Sequence, residues 1–216
     1  SNNEIFIKSD LRSYLNKKYA DFMITNNEIE KIIARIESLN GNDLYESNKK
    51  LMNWVSNGLQ IKREDSLQGN LMIYLIDFSE LNENIYKFAR QIEIDGLSKR
   101  IPDGIIFING LPLVIFEFKS AIREKATIAN AYEQITVRYK RDISNVFIYN
   151  AICIISDGVN TKIGTVFTPY EYYYPWRKIT GEENLETDGI NSLYTLINGL
   201  LNQTRIREVL KNFIFF

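Results

Sequence analysis

The sequence predicts an α/β domain in which a mixed β-sheet is flanked by helices. Three observations carry that prediction. Segments with helical periodicity and β-rich runs alternate along the chain. An Asn109-Gly110 pair separates two β-rich runs, a strong hairpin signal. A chain of 216 residues, 45% hydrophobic and 25% charged, is long enough to bury one sizeable core.

The elements follow in chain order. Ile29, Ile32, Ile33 and Ile36 recur at helical spacing and predict a helix over 28–39. Leu44, Leu51, Met52 and Val55 form the inner stripe of a second helix over 43–57. Residues 71–78 and 86–94 read as strands, and 105–108 and 113–118 as the arms of a hairpin. A helix over 125–141 would pack Ile128, Ala131, Tyr132 and Ile135. Strands are expected over 146–155 and 162–167, and two helices near 188–200 and 203–212. No internal repeat or low-complexity linker interrupts the chain. The expected organisation is an N-terminal helical segment (1–42), a core (43–180) and C-terminal helices (181–216). The tail ends on bare apolar residues, Phe213-Ile214-Phe215-Phe216, which leads us to expect that the chain continues.

Composition excludes several chemistries. The chain has no histidine, which removes Ser-His-Asp and Cys-His catalysis, His-ligated zinc and His general bases. The single cysteine, Cys153, lies in an apolar run and reads as a buried small hydrophobe. One cysteine allows neither a disulfide framework nor a cysteine zinc site, which fits a reducing cytoplasm. No apolar run reaches the roughly 18–20 residues of a membrane span. Hydrolytic chemistry must therefore use carboxylates, lysine, tyrosine and hard metal ions, which take oxygen ligands. The net charge of −1 is low for a dedicated DNA-binding domain. Basic residues gather at Lys99-Arg100, Arg123, Lys125 and Arg138 to Arg141; each group taken singly reads as a solvated face.

The candidate chemistry lies at the ends of the hairpin. Pro102-Asp103 precedes one arm, and Glu117-Phe118-Lys119 ends the other. Strand side chains alternate faces, so Glu117 and Lys119 share one while Phe118 points to the other. Parity constrains Asp103. A plain two-residue turn would pair Asp103 with Phe116 and turn it away from Glu117. A shared site needs a three-residue loop or a bulge near Gly110–Pro112, and Pro112, with no N–H, makes irregular pairing there reasonable. Two adjacent carboxylates repel unless a cation intervenes, and Mg²⁺ is the natural one. The Phe118 carbonyl is a candidate third ligand. Lys119 would orient an attacking water or stabilise charge developing on a phosphate.

The surrounding residues resemble a known family. Arg100 to Val114 leading into Glu117-Phe118-Lys119, then Ala131-Tyr132-Glu133-Gln134-Ile135, Arg138 to Ile143, Ile155-Ser156-Asp157-Gly158, Pro175-Trp176-Arg177 and the closing Val209 to Phe216 carry the likeness. They resemble the N-terminal nuclease domain of the restriction (R) subunit of type I restriction enzymes, within the PD-(D/E)xK nuclease superfamily. The resemblance implies a restriction-endonuclease-like core and Mg²⁺-dependent cleavage of double-stranded DNA, the activity of a type I site-specific deoxyribonuclease. It implies Asp103 and Glu117 as metal ligands, Lys119 as catalytic lysine, and a following Gln-x-x-x-Tyr motif. Here Gln134 and Tyr139 stand five apart. On an α-helix that spacing turns the second by roughly 140°, so Tyr139 either packs at the helix end or meets DNA from a different angle.

The implied partners are methyltransferase and specificity subunits, and the implied location is the cytoplasm, with no membrane. ATP belongs to motor domains outside this chain, because these residues contain no G-x-x-x-x-G-K-[ST] phosphate loop. The alternatives are a non-catalytic docking module that keeps the fold and a stand-alone repair or junction-resolving nuclease. The aromatic residues Tyr170, Tyr172, Tyr173, Tyr174 and Trp176 either stack on bases or pack against a motor domain.

Overall fold

The computed structural model describes residues 5–120, 127–183 and 191–214. Three helices open it: α1 (Lys8–Lys18), α2 (Asn26–Glu37) and α3 (Leu44–Asn57). Helix α2 starts at a capping box, in which Thr25 and Glu28 each accept the other's backbone N–H. A small antiparallel hairpin follows, β1 (Leu59–Lys62) with β2 (Asn70–Ile73).

The main sheet runs β3 (Tyr86–Arg90), β4 (Gly104–Ile108), β5 (Leu111–Phe118), β6 (Ile152–Ser156) and β7 (Thr161–Gly164), in that spatial order. It is mixed: β5 and β6 are parallel and the other pairs antiparallel. Parallel neighbours need a long crossover. Here it carries α4 (Ile128–Glu133), a π-helical turn (Gln134–Tyr139), α5 (Lys140–Asp142) and α6 (Ser144–Tyr149). The helices α7 (Ser192–Gly199) and α8 (Gln203–Asn212) come last.

The two faces of the sheet bury different cores. Ile108, Leu113, Val114, Phe116, Ile152 and Ile154 pack with Leu11, Leu15, Ile32, Ile36, Leu51, Val55, Leu196 and Leu210. Ile105, Phe107, Ile115, Cys153 and Ile155 pack with Ile128, Ala131, Ile135, Tyr139, Ile143 and Val146. Strand β5 is buried along its length except at Phe118, as expected of a central strand with helices on both faces. This is the expected α/β class, a mixed sheet flanked by helices around a restriction-endonuclease-like core.

Several elements differ from the sequence-based expectation. The strand expected over 71–78 leaves the ladder after Ile73, although Leu75 and Ile76 stay fully buried. The strand expected over 86–94 ends at Arg90, where Gln91 takes a positive φ of 52°; Ile94 makes only an isolated bridge to Arg100. The strand expected over 146–155 is a helix through Tyr149 and a strand from Ile152. Val146, Phe147, Ile148 and Tyr149 are all buried, and four consecutive buried residues carry no periodicity to separate a helix from a strand. The strand expected over 162–167 ends at Gly164. Helix α1 and strand β1 were not anticipated. Among the described residues, no helix is long and apolar enough to cross a membrane.

Candidate active site

The hairpin resolves the parity problem with a bulge. Its turn is a two-residue one, Asn109-Gly110, with positive φ at both (50° and 82°), and Ile108 pairs with Leu111. That torsion pair suits the right-handed twist of a hairpin. A three-residue loop is therefore not used. The register then shifts: Phe107 pairs with Pro112, but Ile106 pairs with Val114, leaving Leu113 as the extra residue. Consecutive Leu113 and Val114 accordingly lie in the same apolar cluster. The Leu113 carbonyl accepts from Ala151 N (2.9 Å) and from Asn150 Nδ2 (3.1 Å), bonds across to the approach of β6. Beyond the bulge, Gly104 opposes Phe116, which brings Asp103 level with Glu117 on one face.

The side chains meet at the C-terminal end of β5. Glu117 is only 2% exposed, and Lys119 Nζ donates to its Oε1 at 2.6 Å. The same ammonium donates to Gln134 Oε1 at 2.6 Å. Gln134 Nε2 donates to the Tyr139 hydroxyl (2.7 Å), which lies 2.8 Å from Glu117 Oε2 and donates to it. The four side chains thus form a closed ring. Asp103 is fixed separately, its Oδ2 accepting from the Phe118 N–H at 2.7 Å. The Lys119 N–H donates to the Ser156 carbonyl (2.7 Å), which ties the end of β5 to the end of β6.

The five-residue spacing of Gln134 and Tyr139 is absorbed by the backbone. Residues Gln134–Tyr139 form a π-helical turn, whose i→i+5 bonding stacks the two residues an α-helix would separate. Tyr139 is 2% exposed, so its ring belongs to the core and its hydroxyl to Glu117. It does not face outward. The only hint in the sequence was the unusual spacing itself.

Electrostatics distinguish Glu117. Burial pushes its carboxyl above the usual range; Lys119 and Tyr139 oppose that, and the nearby Asp103 charge adds to it. Burial also raises the Tyr139 hydroxyl well above the ordinary phenol range, keeping it a donor.

The basic groups are mostly engaged. Lys99 pairs with Glu93, and Arg100 and Arg141 with Asp142. Arg138 is exposed and Lys140 lies over the Phe167 ring. Arg123 and Lys125 fall outside the described residues. Of the aromatic group, Tyr173 is buried against Tyr132, while Tyr172 and Tyr174 are exposed.

Among the described residues, no group of three or more His, Cys, Asp or Glu side chains is placed to hold a metal. Asp103 and Glu117 supply two carboxylates. A hard divalent ion such as Mg²⁺ needs only one or two, the rest coming from carbonyls and water. The buried, under-compensated charge of Glu117 beside Asp103 fits such a cation.

A mixed sheet flanked by helices, in this strand order, places the molecule in the restriction-endonuclease-like fold class. The family model for the N terminus of type I restriction enzyme R proteins matches residues 1–172, and the chain belongs to that family. It is 30% identical over 195 residues to the type I restriction enzyme HindI endonuclease subunit of Haemophilus influenzae, covering 87% of this chain and 18% of that protein. It is 25% identical over 221 residues to the SsaAORF53P endonuclease subunit of Staphylococcus saprophyticus, covering 98% and 22%. With the SauCOLORF180P endonuclease subunit of Staphylococcus aureus it shares 27% identity over 157 residues, 71% and 16%. The chain spans about a fifth of the length of these relatives.

Proposed function

We propose that this chain is the endonuclease domain of a type I restriction enzyme R subunit, hydrolysing phosphodiester bonds of double-stranded DNA with Mg²⁺. One observation carries the reading. The ring of Glu117, Lys119, Gln134 and Tyr139 lies at the C-terminal end of β5, on the same sheet face as Asp103. This grouping supports reading the site as a PD-(D/E)xK arrangement.

Each residue has a part. Asp103, Glu117 and the Phe118 carbonyl would hold Mg²⁺. The bound ion supplies Lewis-acid polarisation of the phosphate and a water of lowered pKa. Lys119 places a positive charge beside Glu117, where it stabilises negative charge developing on the phosphate or orients the water. Gln134 holds the lysine, and Tyr139 holds Glu117. The Phe118 N–H keeps the Asp103 carboxylate aimed. Sequence recognition, methylation and ATP-driven movement are assigned to parts outside this chain, namely specificity and methyltransferase subunits and motor domains, with the assembly working in the cytoplasm.

The test is restriction of unmodified DNA by the full-length protein with its partner subunits and Mg²⁺. Asp103→Ala and Lys119→Ala should abolish cleavage while leaving ATP hydrolysis intact. Cleavage that survives either substitution would instead support a docking role for this fold.

A further inference from the structure

The approach to Asp103 is anchored in an unusual way. Residues Ile94 and Arg100 close a small loop on themselves, Ile94 N donating to Arg100 O (2.8 Å) and Arg100 N to Ile94 O (3.0 Å). Ile94 packs on the core under the sheet, and the tip of the loop bonds to Asp142, at the end of the helical run that carries Gln134 and Tyr139. The Asp142 carbonyl accepts from Leu97 N at 2.7 Å. A Cβ on Gly96 would stand 2.0 Å from the same carbonyl, so only glycine permits the approach. The Asp142 side chain is 3% exposed, and its Oδ2 accepts from both Nε (2.7 Å) and Nη2 of Arg100. Arg141 also reaches this carboxylate, but as its sequence neighbour it ties nothing across the fold.

One turn earlier on the same run, the Tyr139 hydroxyl lies 3.3 Å from the Ile101 carbonyl. That hydroxyl's one proton goes to Glu117, so the chain entering Asp103 is held to this run through Arg100, with the Ile101 carbonyl only packed beside Tyr139. Two donors of one guanidinium edge converge on a single oxygen of a buried carboxylate, a charge-assisted contact that holds Arg100 against Asp142. Three residues after this contact comes Asp103, whose own carboxylate has to meet the Phe118 N–H.

We propose that Asp142 is a positioning residue: through Arg100 it locks the loop before Asp103 onto the Gln134–Tyr139 helix, and so sets where the Asp103 carboxylate stands against Phe118 and Glu117. Its importance for DNA cleavage rests on the nuclease reading above; the positioning itself does not. No substrate contact is required of Asp142.

The test is hydrogen exchange at the Phe118 amide in the full-length protein, with Arg100→Gln and Asp142→Asn. In both, exchange at Phe118 should rise about tenfold or more while the β6 amides of Ile154 and Ile155 stay protected. Cleavage should fall about ten- to hundredfold, as displaced reacting groups do. The double variant should be no worse than either single one, because both break the same clamp. Arg100→Lys, which keeps the charge but loses the paired donors, should fall between. Unchanged Phe118 exchange in a folded Arg100→Gln protein overturns the proposal. Should Asp142→Asn fail to fold, the half-exposed Arg100 still decides the matter. A wild-type protein that cleaves no DNA would sink the nuclease reading, while the exchange comparison would still judge the clamp.

Discussion

Two buried glutamates in this molecule each hold a cation, yet they shift in opposite directions. Glu28, at the start of α2, is pulled down to about 2. Its burial opposes this, but it is outweighed by Arg63 (2.8 Å) and by the backbone N–H groups of Thr25 and Glu64. Glu117, at the end of β5, is pushed up despite Lys119 at 2.6 Å. The difference lies first in desolvation, which dominates at Glu117 and is outweighed at Glu28, and then in the neighbours. Glu28 sits at a helix N-terminus among donors, namely Arg63 and the N–H groups of Thr25 and Glu64. Glu117 has one ammonium shared with Gln134, one hydroxyl, and Asp103 repelling it. A saturated carboxylate is a structural fastener. One left short of positive charge is the kind that functional sites keep.

The largest expected effect separates the two by exchange of roles. Glu117→Gln should lower cleavage by about 10³-fold or more, since a metal ligand and the partner of Lys119 are lost together. It should leave the melting temperature unchanged or raise it, because a disfavoured charge is removed. Glu28→Gln should do the reverse. It leaves Arg63 buried without its charge partner, at a cost of about 3 kcal/mol. For a domain of this size that is a fall of roughly 6–12 °C in calorimetry. Cleavage by the folded fraction should be unchanged. Equal melting temperatures in the two variants would erase the contrast.

Acid provides the next test. The folded-state value of Glu28 lies below its ordinary 4.5, so its contribution is complete above that value. It is lost as pH falls towards 2, on the order of 3 kcal/mol in all. Asp77 and Asp142, both also lowered to about 2, lose stability in the same window. Denaturant unfolding between pH 5 and 2 should therefore give a steep decline for the wild type and a shallower one for Glu28→Gln. Parallel curves would mean that Glu28 is not the saturated group described.

A smaller effect tests the donors around Glu117. Tyr139→Phe removes one hydroxyl and keeps the ring that fills the core. The loss of the bond it donates to Glu117 and the one it accepts from Gln134 should cost about 1–2 kcal/mol of stability. Cleavage should fall about ten- to hundredfold, as Glu117 loses alignment. If cleavage is unaffected, the tyrosine is a packing residue only.

How much of this was written in the sequence varies with the interaction that decides each feature. The hairpin was legible from Asn109-Gly110, because φ > 0 at two successive positions needs those residue types. Parity then demanded an irregularity, and Pro112 marked the neighbourhood. That Leu113 is the extra residue goes with Asn150 and Ala151, which donate to its carbonyl from about 37 residues further along. No local pattern encodes such a partner. Similarly, the spacing of Gln134 and Tyr139 was plain, but an α-helix was assumed. The π turn is held by tertiary contacts to Lys119 and Glu117 that a helical wheel omits. The helix Ser144–Tyr149 reads as a strand from sequence because its four consecutive buried residues, Val146, Phe147, Ile148 and Tyr149, carry no periodicity.

The smallest expected effect concerns Phe118, which lies between the two charged residues in sequence but not in space. Its side chain turns to the opposite face, with its ring 5.8 Å from that of Phe116, and it is 37% exposed. What it offers the site is backbone: an N–H on Asp103 and, in the proposed reading, a carbonyl for Mg²⁺. Phe118→Ala keeps both. Cleavage should therefore change by less than about threefold, with a stability loss of about 1 kcal/mol for a half-buried ring. Phe118→Pro removes the N–H and should release Asp103, giving a loss of cleavage close to that of Asp103→Ala. If instead the alanine variant is as inactive as the proline one, the ring itself must take part, and the separation of the two sheet faces into a working side and a packing side would have to be abandoned at this end of β5.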